Sequence, residues 1–267
     1  MIPIRKEILS LLLLCVSTVL FAQQQHTPSR ERVLLNNRFR TEIDGNNVRT
    51  SVFNFLFSGR TGGGVNDGVP YEYPKNTGRM YVALVGLFLG GEVIDNTGQV
   101  TQIVDWPSYH TNPATGADWN INPIGRPKPY WNPAKQRIAK SDEPDTWPES
   151  WPDKETASVD TGWRGKWNGY FGKNIFNADQ EMYYRVGDDN YDRFNYTPDT
   201  TDVTRKGLGL IGSARAMEWS QASVADAVFF IHEIQNDGTK EIRKAAVTLW
   251  LADFVGGDGD SQDDLPL

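Results

Sequence analysis

Two apolar stretches, Ala227-Val228-Phe229-Phe230-Ile231-His232-Glu233-Ile234 and Ala245-Ala246-Val247-Thr248-Leu249-Trp250-Leu251, flank the tetrapeptide Asn236-Asp237-Gly238-Thr239. Both are rich in β-branched and aromatic residues, the composition that suits a pleated and buried surface. Asp-Gly supplies the positive φ angles of a tight turn, so the spacing predicts a hairpin joining the two. Strands this apolar need a second layer over them, which points to a β-sandwich.

Working back along the chain, Leu208–Trp219 and Glu181–Val186 read as further strands, with Gly187-Asp188-Asp189-Asn190 as a turn. Met80-Tyr81-Val82-Ala83-Leu84-Val85-Gly86-Leu87-Phe88-Leu89 is the most apolar run after residue 22. With the turn Asp95-Asn96-Thr97-Gly98 behind it, this run reads as a buried strand paired with Gln99–Trp106, a helix being the alternative for so short a run. Val48–Phe57 is a β-type run, and Ser58–Gly68, with five glycines, is a loop. No period of 20 to 50 residues repeats, so solenoids and propellers lack support.

Between Trp106 and Trp167 nine prolines break any regular element while seven tryptophans are threaded among them. Disordered segments are poor in aromatics, so this one is expected to lie ordered over a sheet with its rings as packing anchors. The expected architecture is all-β or nearly so. It divides into a signal segment at 1–22, a polar leader at 23–47, an N-terminal β module with the Pro/Trp-rich crossover at 48–159, and a β-sandwich-like module at 160–267.

The first 22 residues run from a basic start (Arg5, Lys6) through 14 mostly apolar residues, Ile8–Phe21, to the small Ala22. That order is a secretory signal peptide, and its core is shorter than the roughly 20 residues a membrane-crossing helix needs. Cys15 follows Leu14, where a lipidation site wants a small residue, and cleavage after Ala22 discards it. The mature chain then has no cysteine, so no disulfide, and must hold together by packing. Its net charge moves from −7 to −8, because two basic residues and one acidic residue leave with the signal. An acidic balance argues against nucleic acid and anionic membrane surfaces as partners. No later segment has transmembrane length, which leaves a secreted or cell-surface product with a glycan or another surface component as its expected partner.

The string Pro70-Tyr71-Glu72-Tyr73-Pro74-Lys75-Asn76-Thr77-Gly78, followed by Gly86-Leu87-Phe88-Leu89-Gly90-Gly91, resembles the opening module of a group of large, uncharacterised exported proteins. The similarity returns at Asn177-Ala178-Asp179-Gln180-Glu181, from Trp219 onward, and at Phe229–Gly238 leading into Asp253-Phe254-Val255-Gly256-Gly257-Asp258. Members of that group typically end in a C-terminal sorting domain read by the type IX secretion system. The resemblance implies export and brings no activity with it. The sequence departs from the group by stopping at Leu265-Pro266-Leu267 with no sorting domain, which suggests a truncated reading frame, a short paralogue being the alternative.

Two acidic loops are the candidate metal sites. Asp258, Asp260, Asp263 and Asp264, with Asp253 upstream, place five aspartates in twelve residues with no Lys or Arg among them. Oxygen ligands on a glycine-bent loop suit Ca²⁺, but the EF-hand pattern fails because its glycine position holds Asp263 and no glutamate closes the loop. A solvated acidic loop is the plainer alternative. Asp188, Asp189, Asp192, Asp199 and Asp202 form the second loop, where Arg185 and Arg193 are near enough in sequence to neutralise the charge without a metal.

Catalytic signatures are few. The histidines are His26, His110 and His232, and the last sits in an apolar strand where a structural role is expected. No Gly-x-Ser-x-Gly, His-Glu-x-x-His or P-loop pattern occurs, and Gly62–Gly64 is a flexible loop. Asp179 and Glu181 are a carboxylate pair of the type a glycosidase uses. In Gly-Trp-Arg-Gly-Lys-Trp-Asn-Gly-Tyr-Phe (162–171), Trp163, Trp167 and Tyr170, with Phe171 beside them, are the candidate carbohydrate contacts, core packing being the default for such rings. The sequence therefore reads as a non-catalytic surface or secreted β module, structural or adhesive and stabilised by calcium if the acidic loop binds it. A polysaccharide-acting hydrolase or carbohydrate-binding module is the alternative.

Overall fold

The computed structural model describes residues 31–34, 38–60, 67–107, 121–125, 138–148, 151, 153–154 and 162–256. With strands numbered in chain order, one sheet of six runs β1 (Arg32–Val33), β8 (Asn122–Gly125), β12 (Gln180–Gly187), β13 (Leu210–Glu218) and β14 (Phe229–Asn236), and β9 (Ala139–Lys140) also pairs β12. The other sheet has seven strands. Its path is β15 (Arg243–Asp253), β6 (Met80–Ile94), β4 (Phe57–Gly59), β3 (Thr50–Phe53) and β2 (Arg40–Ile43), with β5 (Tyr71–Glu72) and β7 (Val100–Asp105) on β6. A small hairpin, β10 (Asn168–Gly169) and β11 (Gly172–Lys173), stands apart. All these strand pairings are antiparallel. A single 3-10 turn at Pro144–Thr146 is the one helical element among the described residues, and none of their helices is long and apolar enough to cross a membrane. The fold is all-β and sandwich-like, as the alternation predicts.

The main core lies between the sheets. Ile43, Val52, Leu56 and Leu89 from the seven-stranded sheet meet Met182, Tyr184, Val186, Ala214 and Ala216 from the other. Period 2 explains the selection: on β12 the even residues 182, 184 and 186 face this core while Glu181, Tyr183 and Arg185 face outward. That outer face is buried too, because Trp151 and Trp167 pack on Ala139 and Tyr183 with Trp147 and Trp163 at their margin. The described tryptophans of the Pro-rich stretch thus act as packing anchors over a sheet. On the outer face of the seven-stranded sheet, Phe53, Phe55, Phe57 and Leu84 form a separate cluster reached by Trp250.

The β6–β7 hairpin turns where predicted. Asp95 Oδ1 accepts the N–H groups of Thr97 (2.8 Å) and Gln99 (2.9 Å), and Gly98 takes a φ of +87°. Other expectations need revision. Val48–Phe57 is not one strand: β3 and β4 fold back on each other around Asn54-Phe55-Leu56, with Leu56 at a φ of +60°. Part of the polar leader belongs to the sheets, since β1 and β2 are edge strands and Ile43 is fully buried. Each sheet also draws strands from both sides of residue 160.

The hairpin expected at Asp237-Gly238 does not form. β14 pairs β13 and β15 pairs β6, so this turn carries the chain from one sheet to the other. Long-range contacts decide it. The buried Asp237 carboxylate pairs with Arg205 at 2.9 Å, the Asp237 N–H donates to Gly209 O, and the N–H groups of Thr239 and Lys240 both donate to Pro198 O. Gly238 is not among the glycines with positive φ; a Cβ there would lie 2.6 Å from Pro198 O. Its job is close approach, not a left-handed turn.

Because β14 and β15 are the edges of opposite sheets on the same flank, the sandwich is open there. Val247, Leu249 and Leu251 pair with Leu89, Leu87 and Val85 and so share their inward face. They are nevertheless 68%, 61% and 53% exposed, and Leu249 lines an open cleft with Phe230 and His232 of β14.

Candidate functional site

Residues 162–176 build a lobe on the outer face of the six-stranded sheet, around the β10–β11 hairpin. Glycine permits its tight geometry: a Cβ at Gly169 would lie 2.2 Å from Ile175 O, and Gly172 has a φ of +134°. The Tyr170-Phe171 pair is thereby pushed out at the tip, 46% and 58% exposed, with Ile175 and Phe176 also exposed. Tyr170 and Phe171 meet edge to face at 5.1 Å.

The lobe is fastened from below by a buried carboxylate. Glu181 on β12 accepts Trp167 Nε1 (3.0 Å), the Tyr170 backbone N–H (2.9 Å) and Arg215 Nη1 (2.5 Å). Arg215 on β13 also donates to Asn168 O at 2.6 Å, and its guanidinium lies 4.6 Å over the Tyr183 ring. Asn168 Nδ2 donates to Asp153, and Trp151 Nε1 donates to Lys166 O at 2.8 Å. Asp153 is kept below the ordinary carboxylate range despite burial, which opposes this most strongly, by Lys154 and the hydrogen bond from Asn168.

The lobe's charge runs against that of the chain. The protein carries −7, yet residues 162–176 hold Arg164, Lys166 and Lys173 with no aspartate or glutamate. All three cations are exposed. Lys154 Nζ and Lys173 Nζ lie 5.0 and 5.7 Å from the Trp163 ring centroid. Basic groups around exposed aromatic rings can hold an anion and an apolar face at once.

Of the rings weighed for a glycan site, Tyr170 and Phe171 are exposed, Trp163 is half-buried under two lysines, and Trp167 has no exposed surface. A buried indole offers no face to a sugar, so Trp167 is the anchor of the lobe and not a contact. The cations Arg164, Lys166 and Lys173 are the part of the site that an aromatic reading does not find. Their signal is a fifteen-residue stretch free of acid inside an acidic chain.

Asp179 and Glu181 do not form a glycosidase pair. The Asp179 carboxyl is held below its ordinary range by the backbone N–H and hydroxyl of Ser220. Glu181 is buried under the lobe with three donors upon it. Asp179 lacks the raised pKa of a general acid, and Glu181 is shut off from substrate beneath the lobe.

In the second acidic loop, Asp202 pairs with Arg32 at 2.7 Å, Asp189 faces the same guanidinium at 3.6 Å, and Asp199 faces Arg205 at 3.4 Å. The neutralising residues are therefore Arg32 and Arg205, while Arg185 pairs with the buried Glu31. Asp188 accepts the N–H groups of Leu208 (2.6 Å) and Leu210 (2.7 Å), and burial pushes its carboxyl up to about 6. No group of three or more His, Cys, Asp or Glu side chains among the described residues is placed to hold a metal ion. Asp258, Asp260, Asp263 and Asp264, with the Ca²⁺ expected there, lie outside the described residues, as do His26 and His110.

Compared with known proteins, the chain matches no family model, no curated protein and no solved structure.

Proposed function

We propose that this chain is an exported, non-catalytic β module of a surface-attachment system that holds acidic polysaccharide through the 162–176 lobe. The observation that carries this reading is the clustering of exposed Tyr170 and Phe171 with Arg164, Lys166 and Lys173 on a platform clamped by Glu181 and Arg215. Aromatic faces stack on the C–H faces of sugar rings, and the cations meet carboxylate or sulfate groups along the polymer. The clamp matters because a pre-ordered lobe loses less conformational entropy on binding. Export rests on the basic-apolar-small order of residues 1–22 and on the resemblance to type IX secretion cargo. A hydrolase is the weaker reading, since its best carboxylate pair is engaged in structure.

Affinity electrophoresis in gels containing polygalacturonate, alginate or heparin, with dextran as the neutral control, tests the proposal. Retardation is expected in the acidic gels alone, weakening as salt rises. Tyr170→Ala/Phe171→Ala and Lys166→Glu/Lys173→Glu should each abolish it while leaving the melting temperature within about 2 °C. Equal retardation by dextran, or binding that survives the charge reversals, rejects the reading. Binding to anionic lipid vesicles without polysaccharide binding would reassign the lobe to a membrane surface.

A further inference from the structure

At one end of the sandwich, away from the lobe in sequence and in strand, Val48, Tyr71, Tyr73, Tyr81, Asp226 and Val228 line an open groove of about 320 Å³. Tyr71 belongs to β5 and Tyr81 to β6, whereas Asp226 and Val228 lie in the segment leading into β14. The groove is thus assembled from both sheets. The Tyr73 and Tyr81 rings stand 6.5 Å apart at 60°, making two walls of a corner, and both are exposed.

The walls are held by backbone and amide contacts that leave the ring faces uninvolved. The Asn47 N–H donates to Ala225 O (2.9 Å), Asn46 Nδ2 to Ala227 O (2.8 Å), and the Lys75 N–H to Asn47 O (2.7 Å). Tyr71 is fixed by a hydroxyl-to-hydroxyl bond with Ser58. Asp226 Oδ1 accepts Asn47 Nδ2 at 2.8 Å, and the Asp226 charge raises the pKa of the nearby Tyr73 hydroxyl. Among the described residues that line it, Asp226 alone is charged at neutral pH.

A carboxylate beside converging aromatic faces, with no lysine or arginine in the lining, selects for positive charge spread over an apolar surface. A compact metal cation would find one carboxylate there and, among the described residues, no cluster of three acidic, His or Cys ligands. An alkylated ammonium fits better, because its methyl groups lie on the ring faces while its charge is met by the ring quadrupoles and by Asp226. We infer that this groove binds a trimethylammonium group of the choline type, carried by a small molecule or by a lipid headgroup. The inference is independent of the glycan reading, as no residue is shared between the lobe and the groove.

The test is titration calorimetry of the mature chain with choline, tetramethylammonium and phosphocholine, and with 3,3-dimethylbutan-1-ol as the uncharged isostere of choline. Both simple cations should bind, and the isostere should be weaker by about 10-fold or more. Tyr73→Ala and Asp226→Asn should each weaken choline about 10-fold with unchanged melting, whereas the lobe variant Lys166→Glu/Lys173→Glu should leave it unaltered. Co-sedimentation with phosphatidylcholine vesicles separates the sources: vesicle binding competed by phosphocholine assigns a lipid headgroup, and soluble binding without it assigns a small molecule. Equal affinity for the isostere, no effect of Asp226→Asn, or no heat with any cation at tens of millimolar would overturn the inference.

Discussion

Arg215 donates to Glu181 across neighbouring strands at 2.5 Å, and each partner also holds the exposed hairpin, Glu181 through Trp167 and the Tyr170 N–H, Arg215 through Asn168 O. Both side chains are almost fully buried. The pair therefore links the stability of the sheet to the position of the lobe. Removing one charge strands the other in a low-dielectric setting, so Arg215→Met should cost about 3–5 kcal/mol in urea unfolding. The double replacement Arg215→Met/Glu181→Leu should cost less than Arg215→Met alone, and polysaccharide retardation should fall in both. A single mutant no less stable than the double would remove the electrostatic argument.

Glu218 ends β13 with no exposed surface, and its Oε2 accepts the N–H groups of Gly45 and Asn46 while Oε1 has no partner among the described residues. Burial pushes its carboxyl up to about 7. A carboxyl raised in the folded state favours folding when protonated. Its contribution is complete below the unfolded value of about 4.5 and is lost as pH rises through about 7. Glu218→Gln should remove that pH dependence and gain on the order of 1–3 kcal/mol at pH 8. Equal slopes of stability against pH in the two proteins would refute it.

His232 is half-buried at the rim of the core. It shares the inward face of β14 with Phe230 and Ile234, its ring is nearly parallel to that of Phe230, and burial lowers its pKa. For a histidine depressed in this way, stability is present above the unfolded value of 6.5 and is lost as pH falls through the lower folded value. His232→Leu should therefore gain on wild type as pH drops from 7 to 5, with glycan and choline binding unchanged. Loss of either binding activity at constant melting temperature would give His232 a functional role instead.

The open flank separates two kinds of leucine on one face. Leu89→Ala, in the closed core, should cost about 2–5 kcal/mol. Leu249→Thr, at an exposed edge, should cost under about 1 kcal/mol and reduce concentration-dependent association, because long apolar edges template further pairing. Light scattering against concentration measures the second effect, and unchanged association in Leu249→Thr would mean that the edge is not sticky.

The alternation along Gln180–Gly187 and Leu210–Glu218, the turn at Asp95–Gly98 and the packing use of tryptophan were all legible in the sequence, because each depends on residues a few positions apart. The same local logic failed at Val48–Phe57, where alternation continued across a tight turn that Leu56 makes with a left-handed backbone. Within the lobe, composition did not separate the buried ring from the exposed ones. Whether Trp167 or Tyr170 faces solvent depends on a carboxylate eleven or more positions away that claims the Trp167 N–H.

Residue order alone thus determined that the chain is a β protein with aromatic anchors, since period and turn chemistry are properties of neighbours. Tertiary structure decided which strands share a sheet. Asp237-Gly238 is compatible with a hairpin by every local rule, and it is the buried Asp237–Arg205 pair and the carbonyl of Pro198 that send β15 to β6 instead. The tyrosine groove is likewise a product of packing, because Tyr73 and Asp226 lie far apart in the chain and meet only where the two sheets close on each other.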